Sequence, residues 1–244
     1  MNTHTNQVVM ITGASKGLGR ALALAFAKGG ARLAICARGD EALQQVAAEI
    51  KQLGAEVVAI RGDAANQSDI ERFVALVEAH YGHIDVLINN ASIIGPSPIP
   101  YLLDYPEEDF AEVIRVNTIG PFLMTKRVLP GMLQRRKGSV INVTSEAGNT
   151  GYAGWGAYGI SKFGIEGMTQ TFADEVGEAG VRVNMVDPTE MNTQMHKLAV
   201  PDCDYELAEP EDVVDVFLYL ASDESSTVNG QRFVASQFLE ERGR

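Results

Sequence analysis

The chain has 244 residues, 45% of them hydrophobic and 21% charged, an ordinary globular composition that can bury a sizeable core. Its formal net charge of −12 argues against a nucleic-acid binder, which needs a basic surface, and against docking on an anionic membrane. No run reaches the roughly 18 apolar residues of a membrane span, and the amino terminus has no charged leader region, so a cytoplasmic protein is expected.

In chain order, VVMIT (8–12) reads as a buried strand that runs into TGASKGLG (12–19). Its glycines give G-x-x-x-G-x-G. Gly13 lets the chain turn sharply off the strand, while Gly17 and Gly19 let backbone approach a pyrophosphate and let the next helix pack on the sheet. That helix, from near Leu18 to Gly29 and Gly30, offers unpaired N–H groups and a positive dipole end to an anion. RLAICA (32–37) is a second strand, after which Asp40 can cap a helix whose Leu43, Val46, Ala47, Ile50 and Leu53 share one face. EVVAI (56–60) precedes a helix carrying Ile70, Phe73, Val74 and Val77, and IDVLIN (84–89) follows it. A long helical stretch covers 107 to 135, SVINVT (139–144) is a fifth strand, and 157 to 177 is helical again. VRVNMV (181–186), a helix in EPEDVVDVFLYLAS and a final QRFVA complete the pattern. Continuous apolar strands alternating with helices predict an α/β fold, a doubly wound parallel sheet of about seven strands covered on both faces. No linker-like segment divides it, so one domain is expected over residues 1–244.

Within the helix at 157–177, YGISK places Tyr158 and Lys162 one turn apart on one side. A free phenol has a pKa of about 10 and exchanges protons poorly near neutrality; a nearby ammonium favours phenolate and makes the pair a plausible general acid/base. Ser145 follows the fifth strand, at the end of the sheet where open parallel sheets bind ligands, and Asn117 lies in the preceding long helix. His80 and His83 form an H-x-x-H with no acidic or cysteine partner beside them and read as a solvated helix end, so no metal site is expected. Cys36 reads as a packed free thiol.

TGASKGLG, NNAS (89–92), Asn117, Ser145 and YGISK occur in the order and spacing of the short-chain dehydrogenase/reductase family, which the chain resembles from about residue 7 to 235. The resemblance implies a Rossmann-type fold and an NAD(P)-dependent enzyme acting on a small-molecule carbonyl compound or alcohol. It implies Tyr158 as the proton-transfer group and Ser145 as a hydrogen-bond partner of the substrate oxygen. Lys162 would lower the tyrosine pKa and hold the nicotinamide ribose, and Asn117 would support a water-linked proton relay to Lys162. Cofactor contacts are implied for Gly13, Ser15, Lys16, Gly17, Leu18, Gly19, Arg38, Asp63, Ala64, Asn90, Ala91, Tyr158, Lys162, Pro188 and Thr193; Asp63 would meet the adenine, and Pro188 and Thr193 belong to the segment covering the nicotinamide. Trp155 reads as a wall of the substrate site, and residues 194–209 as a short cover containing Pro201, which predicts tolerance of bulky carbonyl compounds.

Ala37, at the end of the second strand, stands where NAD enzymes place a carboxylate, and Arg38 follows it. With Lys16 opposite, this predicts NADP(H) in preference to NAD(H), although Asp40 pointed inward would favour NAD. Two departures from the family pattern are Ser92 and Thr189, each where glycine is usual. The rival readings are an NAD-dependent alcohol dehydrogenase and a dinucleotide sensor without turnover. A homotetramer is implied, with a homodimer as the alternative, its interface on the helices at 107–135 and 157–177.

Overall fold

A computed structural model describes residues 4–241; the first three and last three positions of the expected domain lie outside the described residues. Seven strands form one parallel sheet: β1 Val8–Thr12, β2 Arg32–Ala37, β3 Val57–Arg61, β4 Val86–Asn89, β5 Gly138–Val143, β6 Val181–Asp187 and β7 Arg232–Val234. Their spatial order is β3-β2-β1-β4-β5-β6-β7. The chain winds outward from β1 to β3, then returns to the other side of β1 with β4. Between β1 and β4 the winding reverses, and that is where an open parallel sheet leaves a crevice at its carboxyl edge.

Alternate strand residues feed two cores. Val9 and Ile11 face Leu22 and Phe26 of α1 (Gly17–Lys28), Leu43 of α2 (Asp40–Gln52) and Phe217. Val8 and Met10 face the opposite way, toward Phe73 of α3 (Gln67–Tyr81) and Met124. Because both faces are covered, both are largely apolar, and the strands read as nearly continuous apolar runs.

The stretch expected as one helix over 107–135 is three pieces: α4 (Glu107–Ile114), a π-helical turn at Arg115–Ile119, and α5 (Gly120–Arg135). Pro121 explains the break. It has no N–H to return to the Asn117 carbonyl, so the ladder widens and the Gly120 amide reaches back five residues to Arg115. Asp40 is not the expected cap: Gly39 occupies that position, and the Asp40 carboxylate accepts from Gln44 at 3.2 Å along its own helix. After β5 come α6 (Gly156–Val176), α7 (Gln194–Ala199) and α8 (Val214–Ala221). A closing α9 (Ala235–Glu241), absent from the sequence expectation, packs Phe238 against Tyr219 and Phe233.

Candidate active site

The glycine turn is welded to the loop after β4. The buried Thr12 hydroxyl accepts the amides of Asn90 and Ala91, both at 3.0 Å, and the Asn90 side chain donates to the carbonyls of Thr12 and Gly13 at 2.9 and 3.1 Å. Gly13 has φ +67°, and a Cβ there would stand 2.8 Å from the Ala91 backbone. At Gly19 a Cβ would collide with the Gly13 carbonyl. Helix α1 begins beside this turn with no side-chain cap and no acidic residue in its first turn, so its first N–H groups and dipole face outward unneutralised. That combination fits the pyrophosphate of a dinucleotide.

Thr193, which caps α7 by accepting the His196 amide, stands over Gly17, and the Lys16 ammonium donates to Gln194 at 2.8 Å. The covering segment is thereby tied to the glycine turn. Ser15 and Leu18 belong to the same turn and helix start, and Pro188 is buried at the end of β6. Farther along the sheet edge, Arg38 is exposed after Ala37. The Asp63 carboxylate accepts the Ala65 amide at 2.9 Å and pairs with Arg115 at 3.1 Å, while the Ala64 carbonyl abuts Gly120; Asn66, not Asp63, caps α3.

Helix α6 aims Tyr158 and Lys162 at the carboxyl end of β5. The Lys162 ammonium donates to the Val143 carbonyl at 2.9 Å and lies 5.3 Å from the centre of the Tyr158 ring. Asn117, in the π turn, behaves like a piece of strand: its side chain accepts the Ile93 amide and donates to the Ile93 carbonyl, both at 2.8 Å, and donates to Ser161 beside Lys162. Ser145 accepts the Ala147 amide at 3.3 Å and hydrogen-bonds the Tyr158 phenol. Asn117, Ser145, Tyr158 and Lys162 are thus gathered at one end of the sheet.

Burial sets the electrostatics here. It pushes the Tyr158 phenol up to about 12, against the lowering effect of the Ser145 hydrogen bond and with Asp187 adding to the rise. Burial also pulls Lys162 down to about 8, with Asp187 opposing the fall. The lowered phenol pKa that the resemblance implies is therefore not seen for the chain by itself: desolvation of the ring outweighs the Ser145 hydrogen bond.

Trp155 packs near Tyr158, ring centres 5.8 Å apart, and with Ile94, Ile99, Ala147, Met195 and Ala199 it forms a small apolar cluster around the phenol. The cover over this cluster is α7 and the turn after it, fastened by Ser97 to the Leu198 carbonyl at 2.8 Å and by Tyr205 to Glu190 at 2.8 Å. Thr189 takes φ +64°. The glycine-to-threonine departure thus sits in the left-handed region that favours glycine. At Ser92 the added hydroxyl is buried without a partner among the described residues. His83 does have an acidic neighbour, Asp85, at 3.1 Å, a pairing the sequence reading passed over.

Three charged residues next to the site also escaped that reading: Glu166 on α6, Asp187 at the end of β6, and Arg232 on β7. For Asp187 and Arg232 the available signal was a charge at the end of an otherwise apolar strand.

A family model described as short chain dehydrogenase matches residues 7–204. The chain is 38% identical to 3-oxoacyl-(acyl-carrier-protein) reductase FabG of Thermotoga maritima, over 92% of this chain and 94% of that protein. It is 36% identical to the 3-oxoacyl-(acyl-carrier-protein) reductase of Synechocystis, over 96% of each. Among solved structures, a short chain dehydrogenase of Shigella flexneri complexed with NADP superposes with a TM-score of 0.90 at 30% identity, covering 97% of this chain and 100% of that one.

Proposed function

The chain belongs to the short-chain dehydrogenase/reductase family, oxidoreductases of CH–OH and C=O groups, and from that premise we propose an NADP(H)-preferring reductase of carbonyl compounds that also runs in reverse on secondary alcohols. The whole chain works as one such domain. The bound dinucleotide would be held by the glycine turn, Asn90, Ala91, Asp63, Lys162, Pro188 and Thr193; its nicotinamide supplies or accepts the hydride and, when oxidised, carries a positive charge.

This chain's own residues handle the proton. In reduction, Tyr158 gives its phenolic proton to the oxygen that was the carbonyl, and in oxidation the phenolate takes that proton back. Ser145 donates to the same oxygen and fixes its distance from the phenol. Lys162 holds positive charge near the phenolate as it forms, and Asn117 keeps the relay toward Lys162 in place. The apolar cluster around Tyr158 supports an uncharged ketone as substrate and keeps bulk water from the proton transfer.

The cofactor choice rests on one observation: Ala37 ends β2 with no carboxylate, and the exposed Arg38 follows it. A guanidinium there can fork onto a 2′-phosphate, whereas an acid would repel it. The commitment of Asp40 to Gln44 weakens the case for NAD. A homotetramer is supported by the exposed apolar residues Ile119, Phe122, Ile160 and Phe163 around α5 and α6, and a cytoplasmic location by the unpaired thiols Cys36 and Cys203. The test is steady-state kinetics with both cofactors. We expect kcat/KM for NADPH to exceed that for NADH by at least about tenfold, and Arg38→Ala to erase most of the difference. Equal or better use of NADH by the unaltered protein would overturn the preference.

A further inference from the structure

Behind the catalytic side chains, three ions from three elements meet. Arg232 on β7 places Nε 3.0 Å from Glu166 Oε1 and Nη2 2.8 Å from Asp187 Oδ2; Nη2 also donates to the Ser145 carbonyl at 3.2 Å. Glu166 lies one helical turn past Lys162 and accepts the Thr144 hydroxyl at 2.9 Å. Asp187 accepts the Thr189 amide at 2.9 Å. Side-chain exposures are 20% for Arg232, 12% for Glu166 and 6% for Asp187. Ions this buried are costly unless their charges balance.

The balance is informative. Glu166 and Asp187 are two anions, and Arg232 is one cation. Lys162 makes the set neutral, and among the described residues its ammonium otherwise has only the Val143 carbonyl as a hydrogen-bond partner. We propose that Arg232 and Asp187 are positioning residues of the active site, Arg232 pinning the Ser145 backbone and the end of β6, and Asp187 serving as the counter-ion of Lys162. One guanidinium thereby links the serine strand, the catalytic helix and the covering segment. The proposal rests on Tyr158 being the proton-transfer group.

The charges facing this cluster are Glu146 after β5, Lys162, Glu166 and the Tyr158 phenol on α6, Asp187 on β6 and Arg232 on β7. Glu146 and the burial of Asp187 both work to protonate Asp187, and Arg232 works to keep it ionised. The sign of each perturbation follows. Removing the Asp187 charge takes a repelling anion from the phenol and the counter-ion from Lys162, whose own pKa falls; while Lys162 keeps its proton, the first effect decides and the phenol is easier to ionise. Removing the Arg232 charge leaves anions near the phenol uncompensated and makes it harder to ionise.

The test is the pH–rate limb governed by Tyr158, with substrate and dinucleotide saturating, in Asp187→Asn and Arg232→Met. We expect the limb to move down by about one pH unit in the first and up by about one in the second, with kcat falling about tenfold in both. General structural damage would not send the two in opposite directions. Arg232→Lys, which keeps the charge and loses the fork, should lose turnover with the limb nearly in place. Should Arg232→Met fail to fold, phenolate absorbance provides a readout independent of activity: the Tyr158 contribution, taken as the difference from Tyr158→Phe, should titrate at lower pH in Asp187→Asn than in the unaltered protein. Limbs that stay put, or that move together, overturn the proposal. Full activity in Tyr158→Phe would instead overturn the assignment of the phenol, so the two failures are distinguishable.

Discussion

At Lys162 two demands pull against each other. The side chain must be buried to reach past Tyr158 to the Val143 carbonyl, and burial favours the uncharged amine. In the proposed mechanism it must also carry charge to favour phenolate. With its pKa pulled down to about 8, the group keeps its proton near neutrality and loses it in mildly alkaline solution, so it is a weaker and more tunable cation than a surface lysine. Lys162→Ala should therefore impair both proton transfer and dinucleotide binding. We expect kcat/KM to fall by at least about 100-fold and dinucleotide affinity by about tenfold, measured by steady-state kinetics and by fluorescence titration. A change in neither would mean that the pair is only a packing contact. That Tyr158, Lys162, Ser145 and Asn117 belong together was legible because their spacing forms a known signature. Their electrostatics were not, because burial depends on what packs over α6, which no local pattern reports.

Among the elements, the strands were the most legible part, since a sheet covered on both faces demands uninterrupted apolar runs. The π turn at Arg115–Ile119 was missed because α4 and α5 continue one another's apolar spacing; Gly120-Pro121 was the mark of the break. That turn presents Asn117 inward to Ile93 and Ser161, so the irregularity positions the residue. Helix α9 was missed because its docking residue Phe238 finds partners, Tyr219 and Phe233, only in three dimensions. The turn after β6 carries strain that can be measured. A β-branched residue at φ +64° costs roughly 1–2 kcal/mol, of which glycine would return part to unfolded-chain entropy. Thr189→Gly should raise the unfolding free energy by about 0.5–1 kcal/mol in urea titration. A loss of stability would show that Thr189 makes contacts worth more than its strain.

At the scale of the molecule, one switch point organises everything. Reversal of the winding at β1 and β4 opens the crevice, the Thr12–Asn90 bonds fix its floor, and β5 and α6 bring Tyr158 and Lys162 to its rim. No helix among the described residues is long and apolar enough to cross a membrane. The alternation of strands and helices, readable from end to end, was enough to predict the doubly wound sheet and a site at the carboxyl ends of its strands. The ion cluster behind it was not, since Glu166, Asp187 and Arg232 come together only through the pairing of β6 with β7 and the packing of α6 on the sheet. The central claim is that a buried phenol moves the proton during hydride transfer. Its most direct test is single-turnover reduction of a ketone by Tyr158→Phe, with dinucleotide affinity measured on the same preparation. The account predicts a rate about 100- to 10,000-fold lower with affinity changed less than about threefold. Turnover within about threefold of the unaltered protein would contradict it.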